Sequence, residues 1–170
     1  MAIDTPTDGQ PIQHRIQRAT MSVYSILTLL GVIVAAAWKS YATDVAELIA
    51  IVLGTSVAIV IAHAWASVFA HRAVRRSPYT RVDARDELLH VVSFLVPCGV
   101  VIGLSLILNT MRVDIDGIAT IDALVLMGFL LIVGMIAARR TGSGWMRSIL
   151  WGLADFSVGG IILLMKILVG

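Results

Sequence analysis

The sequence predicts an all-α polytopic membrane protein of five transmembrane helices, with its N-terminus inside and its C-terminus outside. Three observations carry that prediction. Hydrophobic residues make up 58% of the chain and charged residues 14%, the mean hydropathy is +0.91, and the apolar residues fall into five continuous runs. A soluble domain of 170 residues has too little interior to hide that much apolar surface. The formal charge of +2 and the pI near 9.0 do not point to nucleic acid, because the basic residues sit at the ends of the apolar runs, where they set topology.

Residues 1–19 are polar, with Pro6, Gly9 and Pro11, and lack the basic start, short apolar core and small-residue cleavage site of a signal peptide. They read as a disordered or loosely docked cytoplasmic tail. The transmembrane domain follows over 20–170, with approximate spans 20–38, 45–71, 88–108, 118–138 and 148–169. About 20 helical residues cross the roughly 30 Å hydrocarbon layer, so each run suffices. Helices are expected rather than strands because the runs are continuously apolar instead of alternating, and a helix satisfies its own backbone in lipid. The second run is the longest and is expected to tilt or project from the bilayer.

Arginine and lysine positions set the orientation. Arg15 and Arg18 precede span one, Arg72, Arg75, Arg76, Arg81 and Arg85 fill the second connection, and Arg139, Arg140 and Arg147 fill the fourth. The other side carries only Lys39, Arg112 and Lys166, and Lys166 reads as a snorkelling anchor. The outward connections hold the acids Asp44, Glu47, Asp114, Asp116 and Asp122. In the second connection Pro78 stops one helix, and Thr80 or Asp83 can cap the next. Asp114-Ile115-Asp116-Gly117 has the start of a calcium loop without its later ligands, and reads as a turn into span four.

Ionisable and polar groups at membrane depth are the functional candidates. At about 1.5 Å of rise per residue, His63 and Asp155 fall at similar depth in the cytoplasmic half of spans two and five, with Ser67 and Ser93 near them. Ser25, Thr28 and Ser157 lie in or near the same zone, and span four offers no such group. His63 and Asp155 are therefore the candidate ion or proton site. The plainer reading of His63 is a hydrogen bond to a neighbour that fixes packing. His63 and His71 share a face but stand two turns apart, roughly 12 Å, too far to hold one ion together. No metal can be named.

Ala58, Ala62, Ala66 and Ala70 recur every fourth residue in span two and form a stripe that lets another helix approach closely. Gly99 and Gly103, beside Pro97 and Cys98, suit close approach and a bend in span three, and Gly152, Gly159 and Gly160 suit close packing of span five. Cys98 is the only cysteine, so no intrachain disulfide can form. Phosphate-loop, zinc-hydrolase, dithiol and serine-hydrolase motifs are all missing from the sequence. No enzymatic activity and no cofactor are expected.

His90-Val91-Val92-Ser93-Phe94-Leu95-Val96-Pro97 in span three, Leu130-Leu131-Ile132-Val133-Gly134-Met135-Ile136-Ala137-Ala138-Arg139 closing span four, and the glycine-containing run Ile149 to Gly170 together resemble the vacuolar iron transporter family in its broad sense. The likeness covers less than half of the chain. It implies a five-span fold that assembles as a homodimer. That family carries an aspartate in its first span and a glutamate-rich helical region between spans two and three, which collect metal. Here span one has no acid, and Asp83, Asp86 and Glu87 are the only acids of the second connection, so the family's iron site does not carry over. The expectation is a transporter-like protein for a cation or a proton-coupled solute. The alternative is a noncatalytic accessory or assembly subunit docked on a larger membrane partner. The alanine- and arginine-rich composition suggests a multi-pass protein of the bacterial inner, or plasma, membrane.

Overall fold

The computed structural model describes residues 10–38, 41–70 and 81–169. Among them the chain is wholly helical: α1 (Gln10–Trp38), α2 (Val45–Ala70), α3 (Arg81–Thr110), α4 (Ile115–Arg140) and α5 (Trp145–Val169). Three stretches, Val45–Phe69, Ile115–Arg140 and Trp145–Met165, are long and apolar enough to cross a membrane. Two shorter apolar stretches, Ser22–Ala37 and Leu95–Thr110, lie within α1 and α3.

Helices α2, α4 and α5 begin within three residues of the predicted runs. Helix α1 differs, starting at Gln10 rather than Thr20, so the second half of the polar tail is helical. Pro11 falls in its first turn, where a missing N–H costs nothing and the fixed φ favours the helix. Helix α3 runs unbroken in assignment through Pro97, although proline cannot donate to the carbonyl four residues back. The second connection, residues 71–80, lies outside the described residues, and with it His71 and the expected cap Thr80.

Helix α1 is the hub. It packs against α2, α3, α4 and α5, whereas α2 otherwise packs chiefly on α3, and α5 on α4. Its buried residues Ile26, Leu29, Leu30, Ile33, Val34 and Ala37 recur at three- and four-residue spacing, which gathers them on one broad face of the helix. The most extensive pairing is α4 with α5, and glycines make it close. A Cβ on Gly152 would stand 2.7 Å from the Leu131 carbonyl oxygen and 2.6 Å from Met135 Cγ, and one on Gly159 would meet Met127 Cγ at 3.1 Å and Leu30 Cδ2 at 3.3 Å.

Helix ends are closed by local bonds. At the start of α2, Asp44 Oδ1 accepts from the Glu47 N–H at 2.8 Å, while Glu47 Oε2 accepts from the Thr43 N–H at 2.6 Å and the Thr43 hydroxyl at 2.8 Å. The two acids thus satisfy orphan donors in the manner of a capping box. Asp114 caps α4, its Oδ2 accepting from the Gly117 N–H at 3.2 Å, so the expected turn into this helix is an N-cap. The turns after α3 and α4 share one design. Val113 N–H reaches Leu108 O and Arg112 N–H reaches Asn109 O, as Ser143 N–H reaches Ala138 O and Gly142 N–H reaches Arg139 O. This double closure places its central residue in the left-handed region, with φ 78° at Gly142 and 59° at Arg112.

Candidate functional site

Among the described residues the buried polar side chains are Ser25, Ser56, Ser105, Asp122 and Ser148. Ser56 of α2 and Cys98 of α3 are both buried, and the serine hydroxyl donates to the sulfur at 3.2 Å. Val52 and Val101, one turn away on the same two helices, are also buried, and the bond satisfies the hydroxyl at the α2–α3 contact.

Asp122 is the exceptional group. Because Asp114 starts α4 early, Asp122 lies about two turns inside the helix rather than in a connection, which corrects its assignment to the outward acids. It is fully buried, flanked along α4 by buried Ile118, Ala119, Ala123 and Leu126. Ser105 of α3, 1% exposed, donates its hydroxyl to Asp122 Oδ2 at 2.6 Å. Asp122 Oδ1 has no hydrogen-bond partner among the described residues. A bare carboxylate with a single donor in an apolar interior carries a large desolvation cost, which a proton or a cation on its oxygens removes. Close by, an apolar cavity of about 210 Å³ opens between α1, α4 and α5, lined by residues including Val34, Ala119, Ala123 and Met127, with Thr120 its single hydroxyl.

Asp155 occupies the other end of the α4–α5 pair. Its carboxylate lies in the space left by the missing side chain of Gly134, and the Gly152 Cα stands 3.1 Å from where a Gly134 Cβ would be. Half-buried Asp155 lines a cleft of about 470 Å³ together with Thr141, Ser143, Arg147 and Trp151. Gly134 is thus what admits a charged side chain at a close helix contact, and the carboxylate reaches the cleft from there.

The structure does not bring His63 to this cleft. His63 and Ser67 are half-buried on α2, which shares with α5 only α1 as a substantial common neighbour. A shared expected depth does not fix the angular position of a helix around the bundle. The Ser93 and Ala70 side chains lie outside the described residues, Ser25 is buried in α1, and Ser157 is exposed with its hydroxyl bonded to Leu153 O at 2.7 Å. Among the small residues, Gly159 packs against α4 and α1, and a Cβ on Gly160 would stand 3.7 Å from Met127 Cε. Ala58, Ala62 and Ala66 are exposed, and Gly99 and Gly103 face open space. Among the described residues no group of three or more His, Cys, Asp or Glu could hold a metal ion.

No family model, curated protein or solved structure matches this chain.

Proposed function

We propose that the protein is a five-span, N-in and C-out membrane protein of the bacterial plasma membrane that moves protons or a small monovalent cation, alone or coupled to a solute, through the Ser105–Asp122 pair. The buried carboxylate is the observation that carries this reading. Membrane interiors tolerate such a group where it is neutralised, and exchanging the neutralising proton or ion is the chemistry available to it. Ser105 supplies a hydroxyl oxygen that can donate to the carboxylate or accept alongside it, a donor set suited to a proton or a hard cation rather than a transition metal. Asp155, in its open cleft at the opposite end of α4, is the natural second station. His63 plays no part in this path.

Helix length is compatible with five spans: at about 1.5 Å per residue, α1 and α3 are each roughly 44 Å long, with Ser22–Ala37 and Leu95–Thr110 as their shorter apolar stretches. The arginine distribution supports the orientation.

The test is proton or sodium flux into proteoliposomes under an imposed gradient, followed with an internal indicator dye, for the wild type and Asp122→Asn. Wild-type flux at least about tenfold above Asp122→Asn, matching about 1.4 kcal/mol of lost stabilisation of the transported ion, is expected. Equal flux in the two removes Asp122 from the mechanism.

A second reading, a noncatalytic assembly subunit, draws on α2. Ala46, Ala50, Gly54, Ala58, Ala62 and Ala66 form an exposed small-residue face that the internal packing leaves unused. Such a face suits a homodimer or a larger membrane partner, and crosslinking of the protein in its native membrane tests it: recovery of a fixed second chain supports this reading, and a monomer throughout removes it.

A further inference from the structure

From Gly128 to Ala154 the chain contains no acidic residue, yet it carries Arg139, Arg140 and Arg147 where α4 turns into α5. Among these, Arg139 is held by an aromatic ring. Its guanidinium carbon lies 5.4 Å from the centroid of the Trp145 ring, a cation–π contact across the turn. Beneath this pair a groove of about 500 Å³ runs along the outside of α4, with Ile132, Met135 and Ile136 as its walls and Arg139, Arg140 and Trp145 at its mouth. Ile132, Ile136 and Trp145 are each about half exposed or more, at 51%, 48% and 62%.

The groove is amphipathic along its length. Its apolar walls belong to a stretch apolar enough to lie in a bilayer, and its mouth combines two guanidinium groups with an indole. Tryptophan favours the level of lipid headgroups, and guanidinium groups bind phosphate oxygens in paired hydrogen bonds. Charge, polarity gradient and position match one ligand class.

We propose that this groove is a binding site for one anionic glycerophospholipid, its phosphate held between Arg139 and Arg140 beside Trp145 and one acyl chain lying along Ile132 and Ile136. Zwitterionic lipids place a compensating cation against the same arginines and bind less well. A free phosphate ester lacks the chain that fills the apolar part. The turn between α4 and α5 thereby gains the anionic partner that the sequence around it does not provide.

The test uses the full chain in neutral detergent, titrated with dioleoyl-phosphatidylglycerol, dioleoyl-phosphatidylcholine or glycerol 3-phosphate. Retained lipid is counted by native mass spectrometry, and the melting midpoint is followed in parallel. Phosphatidylglycerol is expected to stay bound as one copy and to raise the midpoint, and Arg139→Gln with Arg140→Gln is expected to lower its retention at least about tenfold. Arg112→Gln, at the far end of α4, leaves retention unchanged. Trp145→Ala keeps both charges and lowers retention severalfold by freeing Arg139. Equal retention of phosphatidylcholine, an equal midpoint rise with glycerol 3-phosphate, or wild-type retention in the double variant would overturn the proposal.

Discussion

Asp155 of α5 occupies the volume that a side chain on Gly134 of α4 would fill. A glycine on one helix and a carboxylate on the next therefore act as one unit: the first sets how closely the helices approach, and the second depends on that gap for its position.

Gly134→Ala should lower stability by about 1–3 kcal/mol through overpacking. Asp155→Ala in the same chain should recover part of the loss, because the obstructing atoms are gone. Thermal unfolding in detergent of the two single variants and the double gives the coupling directly. Additive effects would show that the two residues do not share this space.

Gly152→Ala should be more damaging than Gly160→Ala. At Gly152 the new methyl meets a backbone carbonyl that cannot move alone, whereas at Gly160 the nearest atom is the flexible end of Met127 at 3.7 Å. The first should cost about 1–3 kcal/mol, and the second should be neutral or gain up to about 1 kcal/mol from helix propensity. Melting midpoints measured side by side decide the order.

Ser105→Ala removes the single hydrogen bond that Asp122 receives and should destabilise the protein by about 1–3 kcal/mol. Asp122→Asn retains an oxygen for the Ser105 hydroxyl, so it should fold at nearly wild-type stability while losing ion flux. Denaturation and flux together separate the two roles. Ser105→Ala with unchanged stability would mean that the bond is replaced by water.

Arg112→Gly should stabilise the turn after α3 by about 1 kcal/mol, since a non-glycine residue in the left-handed region carries roughly that strain. The equivalent position after α4 already holds Gly142. The melting midpoint should rise by a few degrees; a fall would show that the Arg112 side chain makes a compensating contact.

Much of the fold is legible in the sequence because hydropathy reports which segments avoid water. The starts of α2, α4 and α5 follow from it closely. The helical Gln10–Ala19 segment does not follow from hydropathy, because its composition is polar; its only helical signal is the sparse spacing of Ile12, Ile16 and Ala19. The site was harder to read for two physical reasons. Asp122 sits in sequence close to Asp114 and Asp116 and is grouped with them by charge although the expected span 118–138 contains it; its burial and its bond from Ser105 set it apart. Counting residues along spans two and five pairs His63 with Asp155, but such a count says nothing about rotation around the bundle, which depends on ridges, grooves and glycine contacts between helices. Gly134 was visible as a residue, yet its role required knowing which α5 side chain stood opposite.

The hub position of α1 has a bearing on biogenesis. The helix that touches every other one is also the first of the five in chain order. Each later helix therefore finds its docking surface already synthesised when it emerges, and the bundle can close in chain order.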